Sequence, residues 1–299
     1  MTWLLLLLPA LAVLFLEELY RYVFCRTPSR LFTLLFDSKG HEPRYYQVRD
    51  EAARRLGCLP HRCYTIVNDR GQALKGFYYP CGSEGKRLVF LIHGYRSDHL
   101  DTGGLYYDYY KSRCIDFFCC DHTACGESEG THIGFDVLES RDCLLWLDFL
   151  LETFGPEVQI ILHGFSMGGA TVLQMSSRCP PQVKFIVSDS GFSSARAAMQ
   201  HQIGPLYQPL RLINLVLARY DWDQSDVTRS LSESQLPILF VHGREDKLVP
   251  AYIGPQLYAL YQGEKDGFFP EHTRHIESMY TSPVEYASRL DRFMDRFLS

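Results

Sequence analysis

Ser166 lies in Gly164-Phe165-Ser166-Met167-Gly168, between the apolar run VQIIL and the segment GGATVLQMSSR. A serine hydroxyl is a weak nucleophile unless a turn exposes it and a base activates it, and this pattern supplies the turn. Glycines two positions away on either side let the chain double back closely. The hydroxyl then projects from a strand end at the start of a helix, where free N–H groups and the helix dipole favour developing negative charge. The chemistry that fits is attack on an acyl carbonyl, leaving an acyl group on Ser166. The bland alternative is a glycine-rich packing turn.

Such a hydroxyl needs a base, and the base needs an orienting acid. At strand-turn-helix sites of this kind they follow the nucleophile in the order acid, then histidine. His93 and His163 precede Ser166, and His242 precedes the best acid, which leaves His201, His272 and His275. The segment FFPEHTRHIESMY follows the last predicted strand and precedes a final amphipathic helix, PVEYASRLDRFMDRFL. His275, nearer that helix, is the expected base, with His272 as competitor. In VHGREDKLVP the acid is expected at Asp246, just past a strand end; the competitors are its neighbour Glu245 and Asp189, which closes another strand. Preorganised donors for an oxyanion are expected from the backbone N–H of Met167 and from that of Tyr95, in the loop after FLIH.

The His-Gly pair ends three apolar runs, at His93-Gly94, His163-Gly164 and His242-Gly243. In an open parallel sheet, strand carboxyl ends border one crevice, and ligands bind there. The three pairs then mark an oxyanion loop, a nucleophile turn and an acid loop, with histidines that are structural.

The elements that must position these residues are legible as alternating strands and helices. CYTIV and ALKGFYY flank NDRG, a hairpin signal. RLVFLIH (87–93), IDFFCCD (115–121), VQIILH (158–163), VKFIVSD (183–189) and PILFVH (237–242) are near-continuous apolar runs, as expected of strands covered on both faces. DVLESRDCLLWLDFLLETFG reads as a helix stopped by Gly155-Pro156. Alternation of this kind predicts a mostly parallel sheet.

With 299 residues, 46% hydrophobic and 22% charged, the chain suits one large α/β domain or two small ones. A net charge of −5 with scattered basic residues leaves no footprint of a nucleic-acid binder. Ten cysteines without a framework pattern, two of them adjacent at Cys119-Cys120, read as small hydrophobes in a reducing compartment. No Cys-x-x-Cys pair occurs, which argues against a structural zinc site.

WLLLLLPALAVLFL (Trp3 to Leu16) is uncharged, and Glu17 and Glu18 separate it from LYRYVFCR. A run of about 14 residues is short of the ~20 that span a bilayer, but extension to Phe24 reaches that length. The start lacks the basic residues of a signal peptide. The expectation is an uncleaved single-pass anchor over 1–26 that holds the protein in the cell membrane. Arg21, Arg26 and Arg30 on its C-terminal side place the remaining chain in the cytoplasm.

His93-Gly94-Tyr95, Gly164 to Gly168, HGREDKLVP and His275 together resemble the α/β-hydrolase superfamily, from about residue 60 to the end. CCDHTACGESEG resembles the family's D-x-R-G-x-G-x-S-x-G loop through Asp121, Gly126, Ser128 and Gly130, and departs from it at Thr123 and Ala124. Within the superfamily the chain resembles membrane-anchored bacterial serine hydrolases related to serine aminopeptidases. The resemblance implies an α/β-hydrolase fold, with a mostly parallel central sheet, helices on both faces and a small helical lid. It also implies hydrolysis of carboxylic esters, thioesters or amides through an acyl-enzyme, a small-molecule acyl substrate, and neither organic cofactor nor metal. The division expected is an anchor at 1–26, a connector at 27–60 and a hydrolase domain at 61–299. Residues 193–235 read either as an apolar lid over Ser166 or as two core-packing helices. An acyltransferase with the same site, or a binding protein on the same fold, are the other functions open at this point.

Overall fold

Strands covered by helices on both faces must be apolar along their whole length, and the central runs of this chain are. The computed structural model describes residues 2–36 and 41–298, and for residues 2–8 and 34–36 the backbone alone. The strands are β1 (Arg62–Val67), β2 (Ala73–Tyr79), β3 (Arg87–Ile92), β4 (Asp116–Cys120), β5 (Gln159–Phe165), β6 (Val183–Asp189), β7 (Ile238–Val241) and β8 (Lys265–Phe268). The helices are α1 (Thr2–Phe24), α2 (Arg30–Phe36), α3 (Pro43–Gly57), α4 (His99–Lys111), α5 (Val137–Phe154), α6 (Met167–Met175), α7 (Ala195–Ile203), α8 (Tyr207–Leu217), α9 (Val227–Glu233), α10 (Ile253–Leu260), α11 (Ser278–Thr281) and α12 (Pro283–Phe297).

All eight strands form one sheet in the order β1-β2-β4-β3-β5-β6-β7-β8. β1 and β2 make the expected antiparallel hairpin, closed at Asn68, whose Oδ1 accepts from the N–H of Arg70 at 3.1 Å and of Gln72 at 3.0 Å. β2 also pairs antiparallel with β4, and every pairing from β4 to β8 is parallel. Strand periodicity divides the core. Leu88, Phe90 and Ile92 of β3 face a cluster with Trp146 and Leu147 of α5, Val172 of α6 and Leu257 of α10. The alternating Val89 and Leu91 face Tyr106 and Tyr110 of α4 and Leu290 and Phe293 of α12. β3 and β5 are neighbours, and the chain leaves β3 for β4 on one side and β5 for β6 on the other, toward opposite edges of the sheet. A crevice therefore opens at the carboxyl ends of β3 and β5, where the His93-Gly94 loop and Ser166 lie.

The expected membrane anchor is corrected by the structure. Among the described residues no helix is long and apolar enough to cross a membrane. The side chains of residues 1–8, part of the apolar run, lie outside the described residues. The second half of α1 is instead packed into the body. Leu19, Tyr20 and Phe24 are buried in a third cluster with Met199 of α7, Leu210 of α8 and Trp222. Phe24 and Trp222 bring their ring centroids to 4.1 Å, and Tyr20 donates its hydroxyl to Asn214 Oδ1 at 3.0 Å. Backbone bonds from Arg26 N–H to Thr131 O at 2.9 Å and from Ile133 N–H to Phe24 O at 2.8 Å extend the join. Charge explains the reversal: Glu18 accepts from Ser29 and lies 3.7 Å from Arg21, so this half of the helix meets protein on one side and solvent on the other. The membrane partner and the cytoplasmic placement inferred from an anchor fall with it.

Residues 193–235 form α7, α8, α9 and short 3-10 turns. Met199, Tyr207 and Leu210 pack with α1, while Val227 and Leu231 of α9 join the sheet core.

Candidate active site

Ser166 adopts φ 54° and ψ −115° at the junction of β5 and α6, a left-handed conformation that costs a residue with a Cβ about 1–3 kcal/mol. The surroundings impose it. A Cβ on Gly164 would stand 2.1 Å from Gly168 O, and one on Gly168 would stand 2.1 Å from Ile92 O. These are backbone atoms that cannot yield, so both positions of the motif require glycine for space. The N–H of Ser166 donates to Asp189 O at 2.8 Å, which ties the turn to the end of β6.

His275 arrives from the loop between β8 and α11. Its Nε2 lies 2.8 Å from Ser166 Oγ, and its Nδ1 lies 2.6 Å from Asp246 Oδ2. Asp246 follows β7 in a tight turn in which its Oδ1 accepts from the N–H of Leu248 at 2.9 Å and of Val249 at 3.0 Å. Burial pushes the Asp246 carboxyl up, but hydrogen bonds from His242 and His275 outweigh it and hold the group well below the usual carboxylate range. A carboxylate on Nδ1 fixes the tautomer in which Nε2 is free to accept the Ser166 proton.

The competing residues are placed elsewhere. Glu245 and His272 pair with each other at 2.9 Å on the exposed side of the same two loops. Asp189 is fully buried beneath the turn, accepting from Ser190 Oγ at 2.9 Å and from the Tyr286 hydroxyl at 3.2 Å. Burial raises its carboxyl to about 6 despite those bonds. His201 lies on α7, its Nε2 3.3 Å from Lys247 O.

Met167 is the first residue of α6, and N–H groups of a first helical turn have no intrahelical partner. A Cβ at Gly94 would be 3.2 Å from Ser166 Cβ and 3.8 Å from its Oγ, so the loop that carries Tyr95 passes beside the hydroxyl. The Tyr95 hydroxyl donates to Val23 O at 2.6 Å, which ties this loop to α1.

Known proteins resemble this chain in sequence and fold. The family model described as "Serine aminopeptidase, S33" matches residues 83–221. The esterase Pf2001 of Pyrococcus furiosus superposes with a TM-score of 0.68 at 18% identity, over 82% of this chain and 95% of that one. The chain has the α/β-hydrolase fold, and its segment 83–221 is similar to that serine aminopeptidase family. It is 26% identical over 231 residues to the uncharacterized protein YfhR of Salmonella typhi, covering 72% of this chain and 74% of that one. It is 30% identical over 184 residues to the monoglyceride lipase of Mus musculus, covering 60% and 58%.

In this fold the three His-Gly histidines differ in what they touch. His163 is a core residue between the hydroxyls of Tyr110 at 2.8 Å and Tyr286 at 2.9 Å, and burial lowers it to about 3. His93 accepts from the N–H of His122 at Nε2, 3.0 Å away, while its Nδ1 meets Gly94 O at 2.7 Å. His242 reaches Asp246 Oδ2 with Nε2 at 3.2 Å. That contact was not foreseen from the sequence. The spacing of four residues between His242 and Asp246 across one strand-end turn was the available signal. The loop after β4 is built around Asp121, whose carboxylate accepts from the N–H of His99 at 2.8 Å and of Glu127 at 2.7 Å. Thr123, in the place of the usual arginine, donates instead to Asp142 Oδ2 at 2.5 Å, and Ala124 takes a positive φ of 65°.

Proposed function

We propose that this protein is a hydrolase that cleaves carboxylic esters through an acyl-enzyme on Ser166. The carrying observation is the hydrogen-bond chain from Ser166 Oγ through His275 to Asp246, anchored at a turn whose strain exposes the hydroxyl. Ser166 Oγ attacks the ester carbonyl as His275 Nε2 takes its proton, and the oxyanion settles against the N–H groups of Met167 and Tyr95. His275 returns the proton to the alcohol as the C–O bond breaks. Water, deprotonated by the same nitrogen, then releases the acid and restores Ser166. Asp246 stays ionised throughout and stabilises the imidazolium.

We read the acyl chain as apolar rather than charged. Helices α1 and α8, which pack together, expose Leu11, Leu14, Leu212 and Val216. The mouse relative is a monoglyceride lipase and the archaeal neighbour an esterase. The test is labelling of the full chain with a fluorophosphonate, followed by hydrolysis of p-nitrophenyl esters of graded chain length. Labelling confined to Ser166 and turnover that favours medium over acetyl chains are expected. A label on another residue, or none, overturns the assignment.

A further inference from the structure

Away from Ser166, the end of β4 and the second turn of α5 bring together Cys120, His122 and Cys143. A ring nitrogen of His122 and the two sulfurs lie within 4.8 Å of one another. All three side chains are at most 1% exposed. His122 Nε2 lies 3.1 Å from His93 O, and a carbonyl oxygen can only accept, so Nε2 carries the hydrogen. His122 Nδ1 therefore holds a lone pair, and this buried atom has no hydrogen-bond partner. A buried acceptor without a donor is costly, and such groups call for an explanation. Two thiols and a bare imidazole nitrogen are the donor set of a soft cation rather than of Mg2+ or Ca2+.

We propose that Cys120, His122 Nδ1 and Cys143 form a binding site for a thiophilic d10 cation, Zn2+ or Cu+. Two sulfurs each about 2.3 Å from such an ion stand roughly 3.7–4.0 Å apart, so the cluster reaches ligand geometry by shifts on the order of 1 Å. On binding, each cysteine S–H bond breaks, its electron pair becomes the sulfur–metal bond, and the proton passes to solvent; no electron is transferred. Two thiolates exactly balance Zn2+ and leave Cu+ with one net negative charge, so zinc is favoured in this apolar setting. The ion also bears on the crevice. His122 holds His93 through both its Nε2–H and its backbone N–H, and His93 opens the loop that passes Ser166. The site was invisible in the sequence because no Cys-x-x-Cys pair makes it.

The experiment uses the full chain with the exposed Cys58, Cys63 and Cys114 changed to serine, kept under a phosphine reductant and free of chelator. Titration with Cd2+ should give one ion per chain, a thiolate-to-metal charge-transfer band, two protons released per ion and a raised Tm. Cys143→Ala should weaken binding at least ~10-fold. Cys119→Ala, which removes a neighbouring buried thiol on the other sheet face, should leave it unchanged. X-ray absorption of the Zn2+-loaded unmutated cluster should show two sulfurs and one nitrogen, a readout that does not depend on the variants folding. Competition between Zn2+ and chelator-buffered Cu+ names the preferred ion. No bound ion, an absorption shell without two sulfurs, or equal affinity in Cys143→Ala would overturn the proposal.

Discussion

His242 Nε2 lies 3.2 Å from Asp246 Oδ2, the same oxygen that meets His275 Nδ1 at 2.6 Å. The acid thus has two imidazole neighbours on one oxygen and two backbone donors on the other, and its orientation is over-determined. His242→Gln removes one of those neighbours at a site that does not touch Ser166. A hydrogen bond to a charged group contributes about 1.5–3 kcal/mol, so kcat on the best ester should fall roughly 10-fold or more with KM little changed. Steady-state kinetics of the variant decide it; an unaltered kcat would make His242 a packing residue only.

The base assignment separates cleanly from its competitor. His275→Ala should lower kcat by at least ~10³-fold, and the double variant with Ser166→Ala should be no worse than either alone, because such residues act as a unit. His272→Ala removes only an exposed pair with Glu245 and should stay within about twofold of the parent. Reversed results would move the base by one turn of the loop.

Asp136 and Glu139, at the start of α5, are buried acids whose carboxyls burial raises to about 8 and about 7. An unfolded Asp titrates near 3.9, so between about pH 4 and 8 the folded chain binds more protons than the unfolded one. Stability contributed by protonated Asp136 is therefore lost as pH rises through that window. Asp136→Asn keeps an acceptor for Ser225 Oγ, which lies 2.9 Å from Asp136 Oδ2, and removes the titration. The drop in Tm between about pH 5 and about pH 8 should shrink in the variant. Thermal melts at the two pH values check this, and an equal drop in both proteins would count against it.

Phe24 tests whether α1 belongs to the body. It is fully buried against Trp222, and Phe→Ala changes at such sites cost about 3–5 kcal/mol. Phe24→Ala should lower Tm by several degrees in detergent-free solution, whereas Leu11→Ala, half exposed on the same helix, should change it little. Equal, small effects would mean that the helix end contributes no core.

Most of the strands and the turn at Ser166 were legible because they depend on short-range physics. Period-two apolar runs mark covered strands, and Gly164 and Gly168 are dictated by backbone atoms within a few residues or on the adjacent strand. The hairpin at Asn68 follows from the same local rules. The sequence favoured His275 over His272 as base and Asp246 over Glu245 and Asp189 as acid, but only by position relative to the predicted elements. His272 and His275, like Glu245 and Asp246, are near neighbours in sequence, and only the facing of two loops against each other decides which members turn inward and which pair in solvent. Tertiary packing likewise decided the fate of α1. Hydropathy sums a segment's own side chains, while Tyr20 and Phe24 are buried by α8 and Trp222, residues almost two hundred positions away. The junction of Cys120 and His122 with Cys143 has the same origin, since the end of β4 and the second turn of the helix that follows it meet only once that helix packs on the sheet.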